Sequence, residues 1–250
     1  MKITATIQAR MGSTRLPEKV LLPILGKPML AHQVERIQKS MLIDEVIIAT
    51  STNSRDDAIE DLANRLGVLC FRGSEDRVLD RVISALKHFQ VDINTDFCGD
   101  CPLPDHTIID SVIGFYLKHQ GRYDFVGTGL KTTFPPGQDV FVYPSRVLYD
   151  VIHHIDRPED YEHVAVNIRS RSEIYRTFNI EAPPWYRYPD LLLEVDTAED
   201  FKLVTAIFEA LYPTNPHFLL SDIVRFLGAK PELASSNQHV ARRWKAFRQE

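Results

Sequence analysis

Hydrophobic positions along this chain follow two alternating periods. Short apolar runs of strand length, "ITATI" (Ile3 to Ile7), "EVIIAT" (Glu45 to Thr50) and "VLCF" (Val68 to Phe71), read as buried strands. Between them Leu30, Val34, Ile37 and Met41 recur at helical spacing, with Pro28 in the first turn. A second helix is predicted from about Arg55 to Leu66, closed by Gly67 at C′. "SEDRVLDRVISALKHF" predicts a third, with Ser74 as N-cap and acidic residues in its first turn. This alternation predicts an α/β fold: a mixed, mostly parallel sheet with helices on both faces. Ligands of such sheets sit beyond the carboxyl ends of the strands. The loop after Ile7 and the "CGDCPLPD" loop after the predicted strand Ile93 to Cys98 therefore open onto one crevice.

From Tyr123 the pattern changes. "YDFVGTGLKTTFPPGQDVFVY" predicts two strands joined by a Pro/Gly-rich loop, and "EIYRTFNI" and "LLLEVD" predict further strands. "EDFKLVTAIFEALY" predicts a helix with Thr197 as N-cap. No repeat, low-complexity run or linker divides the chain, so a single domain with a small inserted β lobe is expected. The closing stretch "ARRWKAFRQE", with Trp244 and Phe247 three apart, predicts a short peripheral basic helix.

Composition narrows the function classes. A chain of 250 residues, 44% hydrophobic and 25% charged, is an ordinary globular one. Its net charge of -5 gives the whole molecule no reason to seek nucleic acid or anionic membrane, so basic clusters are local sites. The N-terminus has no secretory h-region and no run approaches a membrane span, and three cysteines make no disulfide framework. A reducing cytoplasm is the expectation.

The loop "TIQARMGSTRLPEK" (Thr6 to Lys19) carries Arg10, Arg15 and Lys19 directly after a strand. It is either a solvated basic loop or a holder of something strongly anionic. Arginines fork onto phosphate oxygens, and the N–H groups of Gly12 and Ser13 could cradle an oxyanion. No Walker pattern is present. Asp100 in "GDCP" and Asp196 in "LEVDTAED" each follow a predicted strand. Each is either a loop or capping aspartate or one of the few protein oxygens that Mg²⁺ takes beside substrate phosphates. Cys98 and Cys101 form a C-x-x-C without a second pair or adjacent histidine, which argues against zinc or redox chemistry. Arg169 and Arg171 read as surface charge. No serine sits in a G-x-S-x-G elbow.

"IQARMGSTRLPEKVLLPILGKPML" resembles the opening of cytidylyltransferases that make CMP-activated sugar acids. The likeness is to the spore-coat-polysaccharide-type branch, relatives of acylneuraminate and 3-deoxy-manno-octulosonate cytidylyltransferases. "FRGSEDRVLDR", "GDCPLPD", "FPPGQDVFVY", "EHV", "LLLEVDTAEDF" and "ALYPTNPHF" follow in the family's order. The resemblance implies a nucleotide-diphospho-sugar transferase (Rossmann-like) fold, Mg²⁺, CTP and a homodimer. It implies one domain over 1–250, with 123–180 supplying acceptor and dimerisation elements. Carried over by motif, Arg10, Ser13, Arg15 and Lys19 hold the triphosphate, with Gln8, Ala9 and Gly12 also binding the nucleotide. Asp100 and Asp196 bind the metal. Arg72, Gly73 and Ser74 line the nucleotide side, bordered by Asp80 and Arg81. Gln138, Asp139, Glu162 and His163 fall on the acceptor side.

The chain departs from the family where "NTDFCGD" replaces a strand that commonly carries an arginine, and where Gln138, Asp139 and Phe141 follow "FPPG". The reaction expected is attack of an acceptor oxygen on the α-phosphorus of CTP, with Arg15 and Lys19 facing the leaving pyrophosphate. The acceptor expected is a sugar acid or similar small acid, with a phosphonate as an alternative. A nucleotide-sugar glycosyltransferase and an inactive nucleotide-binding module are the rival readings. The absence of any D-x-D weighs against the first.

Overall fold

The computed structural model describes residues 1–242 and Lys245. The first strand, β1 (Ile3–Gln8), is followed by a two-residue hairpin of β2 (Pro23–Ile24) and β3 (Lys27–Pro28) and by α1 (Met29–Ile37). Then come β4 (Glu45–Ser51), α2 (Asp57–Leu66), β5 (Leu69–Gly73), α3 (Val78–His88), β6 (Ile93–Cys98) and α4 (His106–Lys118). The second half contains β7 (Phe125–Gly127), β8 (Phe141–Pro144), α5 (Ser145–Val151), α6 (Ala165–Arg169) and β9 (Thr177–Asn179). It closes with α7 (Ala198–Leu211), α8 (Leu220–Gly228) and α9 (Pro231–Ala234).

Seven of these strands form one sheet in the order β5-β4-β1-β6-β8-β7-β9. β1 pairs in parallel with β4 and β6, and β4 with β5, while β8 enters antiparallel to β6. The strands from 123–180 thus extend the main sheet rather than forming a separate lobe. β8 can do so because Tyr143 and Val142 alternate across the pleat and each finds a core on its own face.

Two cores flank the sheet. Val46 and Ile48 of β4 face one, which α1, α2, α4, α7 and α8 cover; Ile47 and Ala49 face the other, covered by α3, α5 and α6. The chain runs β1, β4, β5 in one direction and returns to place β6 on the opposite side of β1. Right-handed crossovers then put α2 and α3 on opposite faces. At this reversal the loops after β1 and β6 part to leave a crevice. Gly99 lets them start close together: a Cβ there would lie 2.9 Å from the Gln8 carbonyl oxygen.

Several local expectations are corrected. Pro28 stands just before α1, not in its first turn, and the helix ends at Ile37. The Asp110 carboxylate captures the Ser40 hydroxyl and the Met41 N–H, so Met41 is left 88% exposed. Gly67 closes α2 at φ 66, as predicted. Ser74 does not cap α3: its hydroxyl accepts from the Arg77 N–H in a turn, and the helix starts at Val78. "LLLEVD" forms no strand, because its neighbours are loops. Leu193 N–H donates to the Pro136 carbonyl and Val195 N–H to that of Asp100. Gly137, at φ +100, permits the first approach; a Cβ would meet the Leu193 carbonyl carbon at 2.8 Å. The predicted C-terminal helix lies almost wholly outside the described residues, Trp244 and Phe247 included. Arg242, expected to be peripheral, is buried by its pairing with the Asp200 carboxylate.

Candidate active site

Beyond the carboxyl ends of β1 and β6 lie two adjoining lobes of one cavity, each of about 290 Å³. Gln8, Arg15, Cys98, Asp100, Glu162 and Asp196 line both. The first lobe continues along the loop from Ala9 to Arg15 and reaches Lys19 and Arg81. The second runs past Asp96, Cys101, Asp139 and Phe141 to the start of α6, with His163, Arg169 and Glu194.

The basic loop is held at a fixed height above the sheet. The Met11 N–H donates to Asp56, a buried carboxylate that also accepts from the Ser51 N–H and hydroxyl at the end of β4. Glu18 then takes the left-handed conformation, φ 58, and starts the short 3-10 turn Lys19–Leu21. Ser13 is corrected as an oxyanion donor, because its N–H is spent on the Met11 carbonyl at 2.8 Å.

At the join of the lobes, three distant segments meet. The Lys19 Nζ lies 3.0 Å from Asp100 Oδ2, 3.1 Å from Asp196 Oδ1 and 2.7 Å from the Val195 carbonyl oxygen. Arg15 pairs with the other Asp196 oxygen at 2.8 Å. Burial alone would lower the Lys19 pKa, but the two carboxylates more than offset it and hold the ammonium above its ordinary value. Arg10 faces Glu162 at 3.6 Å. Arg81 donates to the Ser74 carbonyl, and burial, helped by the nearby Arg10 charge, pushes it down to about 10.

Asp196 is set by the start of α7. Thr197 is the N-cap, and Asp200, three residues on, accepts from the N–H groups of both Asp196 and Thr197 at 2.9 Å. Burial alone would raise the Asp200 carboxyl, but the Arg242 guanidinium and these N–H groups hold it below the usual carboxylate range.

The floor of the second lobe is a polar seam between β1 and β6. Gln8 donates to both Asp96 oxygens at 2.8 and 3.0 Å, and Asn94 bridges the Thr6 hydroxyl to that of Tyr143. Burial pushes the Asp96 carboxyl up to about 7. Cys98 and Cys101 are free thiols, both raised by burial and by Asp100.

Of the residues expected at the site, the first lobe gathers Gln8, Ala9, Arg10, Gly12, Ser13, Arg15, Lys19, Arg81, Asp100 and Asp196. Asp139, Glu162 and His163 line the second. Arg72 is elsewhere, clamped on the Ser51 and Asn53 carbonyls and on Asp57 and Glu60. Gly73 ends β5 against Arg81, Ser74 makes the turn before α3, and Asp80 pairs with Arg77. Gln138 is buried, its amide donating to the Leu103 carbonyl and accepting from the Asp105 N–H, so it braces the loop after β6 instead of facing the cavity. Arg169, read as surface charge, lines the second lobe because α6 packs over it. Asp56, Asp96, Glu194 and Arg242 escaped the sequence reading. The one available signal was Asp96, an acid inside an otherwise strand-like run.

The donor set suits a hard divalent ion. Two carboxylates converge on a single cation, the Lys19 ammonium, and Mg²⁺ is commonly held by one or two carboxylates with substrate phosphates. Among the described residues no group of three or more such side chains occurs, and a divalent ion held here would take its remaining ligands from substrate and water.

Comparison with known proteins agrees with this architecture. A protein 33% identical over 249 residues, spanning 100% of this chain and 99% of its own, is an uncharacterised protein of Methanocaldococcus jannaschii. The spore coat polysaccharide biosynthesis protein SpsF of Bacillus subtilis is 32% identical, covering 93% of this chain and 96% of that one. The structure of a cytidylyltransferase from Leptospira borgpetersenii superposes with a TM-score of 0.90 at 29% identity, over 97% of this chain and all of that one. A family profile described as cytidylyltransferase matches residues 4–183, and the chain belongs to that family.

Proposed function

We propose that the protein transfers CMP from CTP to a small acidic acceptor, a sugar acid or similar compound, and releases pyrophosphate. The observation that carries this reading is the meeting of Asp100 and Asp196 on one cation where the two lobes join. The first lobe, ringed by Arg10, Arg15, Lys19 and Arg81, takes the triphosphate. The second takes the acceptor, with Arg169 as its cationic edge and His163 beside it as an imidazole that burial holds below its ordinary pKa. SpsF, by its name a polysaccharide biosynthesis protein, supports a sugar-type acceptor.

Transfer of this kind needs alignment and charge neutralisation more than covalent help from the protein. Asp100 and Asp196 would hold Mg²⁺, which supplies charge neutralisation at the phosphates and lowers the pKa of an acceptor hydroxyl. Lys19 and Arg15 stabilise the departing pyrophosphate. The Asp96 and Gln8 pair fixes the floor on which the acceptor rests. The same reading includes a homodimer, which sedimentation velocity tests.

The deciding experiment follows pyrophosphate from CTP against a panel of sugar acids and phosphonates. Asp100→Asn and Lys19→Ala are each expected to lower turnover by about a hundredfold or more. Near-wild-type rates in both variants refute the assignment. Release of a nucleoside diphosphate from a sugar nucleotide, with no pyrophosphate, favours the glycosyltransferase reading instead.

A further inference from the structure

Behind the Asp196 loop, away from the cavity, lies a buried network fed by the C-terminal stretch 235–242. The Asp200 carboxylate is fully buried. One of its oxygens accepts from the N–H groups of Asp196 and Thr197; the guanidinium of Arg242 forks across both oxygens at 3.0 and 2.5 Å. Asn237, itself fully buried, donates from its amide to Asp200 at 2.7 Å and to the Leu192 carbonyl at 3.1 Å. The Arg242 side chain has no exposure and also lies 3.6 Å from Glu194 and 3.9 Å from Asp196. One residue earlier, the Ala241 carbonyl accepts from Arg15, the cation paired with Asp196 from the cavity side.

We infer that the C-terminal stretch is a strap that positions Asp196, with Arg242 as a positioning residue acting through Asp200. This rests on the reading of Asp196 as a metal-holding carboxylate. Arg242 lines neither lobe. Its fork keeps Asp200 oriented, and Asp200 fixes the backbone from which the Asp196 side chain projects. Loop 191–196 has no strand ladder; two backbone bonds, from the Leu193 and Val195 N–H groups, hold its middle, and the ties to Asp200 hold its end at Asp196. Partners one step behind a ligating carboxylate typically matter by 10–100-fold in metal affinity. A lysine cannot reproduce a bidentate fork.

The test uses the full chain and Mn²⁺ with CTP as probe, read by water-proton relaxation alongside pyrophosphate release at varied Mg²⁺. Arg242→Ala is expected to weaken Mn²⁺–CTP binding and raise the Mg²⁺ half-saturation by about tenfold or more. Guanidinium at low millimolar concentration should restore part of the loss, which a general folding defect would not permit. Arg242→Lys, which keeps the charge without the fork, should fall between; it replaces the alanine variant if that does not fold. A folded Arg242→Ala or Arg242→Lys protein with wild-type binding and half-saturation overturns the strap alone. If the wild type and Asp196→Asn bind the probe equally, the metal reading itself falls, and the strap's proposed role with it.

Discussion

Asp96 is a carboxylic acid whose pKa burial has moved to about 7, in a seam where Gln8 and Thr6 donate to it. Its folded value lies above its unfolded one, so the native state binds the extra proton. Stability from this group is fully present below the unfolded pKa of 3.8 and is lost as pH rises through about 7. An amide at this position cannot titrate. Between pH 5 and pH 8, thermal melting of Asp96→Asn should therefore gain on the wild type by several degrees, from a linkage on the order of a few kcal/mol. A constant gap between the two proteins across that range would contradict the assignment. The acid within "NTDFCGD" marks the position but not its titration, because the burial comes from strands that pair only in the folded sheet.

At the scale of elements, the strands of the first half were legible because each face of the sheet has its own core, so short buried runs rich in β-branched residues mark them, even where Thr or Asn interrupts the apolar sequence. The same signal misled at "LLLEVD": Leu193 and Val195 are fully buried but lie on an irregular path against two loops. Periodicity reports burial, not the hydrogen-bonding partner. Ser74 was misread because a serine before acids serves a turn as readily as a helix. Gly137 gives a test of that irregular path. Its φ of +100 and a backbone contact of 2.8 Å leave no room for a methyl group. Gly137→Ala is expected to cost about 2–4 kcal/mol in urea denaturation. It should also lower turnover, since the displaced segment carries Asp196. A cost below about 0.5 kcal/mol would show that the segment moves freely.

For the whole molecule, the site was legible where chemistry is concentrated in one stretch, as with Arg10, Arg15 and Lys19. It was hidden where a residue acts from far along the chain. Arg242 follows Asp196 by 46 positions and reaches it only because α7, α8 and α9 return the chain to the crevice. Ligand linkage tests the assembled site: CTP with Mg²⁺ at about 100 times its dissociation constant should add about 2.7 kcal/mol. At this size that is roughly 5–10 °C in melting temperature, and chelation or Asp196→Asn should remove most of it. The Lys19 ammonium, lodged between two acids, has its own consequence. Each negative charge at the crossing of the lobes already has a resident counter-charge, so a free divalent ion gains little by arriving alone. On the proposed reading, an incoming nucleotide's tail would draw Arg15 and Lys19 to itself and leave the two acids to an ion that travels with it. Loading is thereby expected to be ordered, with Mn²⁺ retained in equilibrium dialysis with CTP and washed through without it.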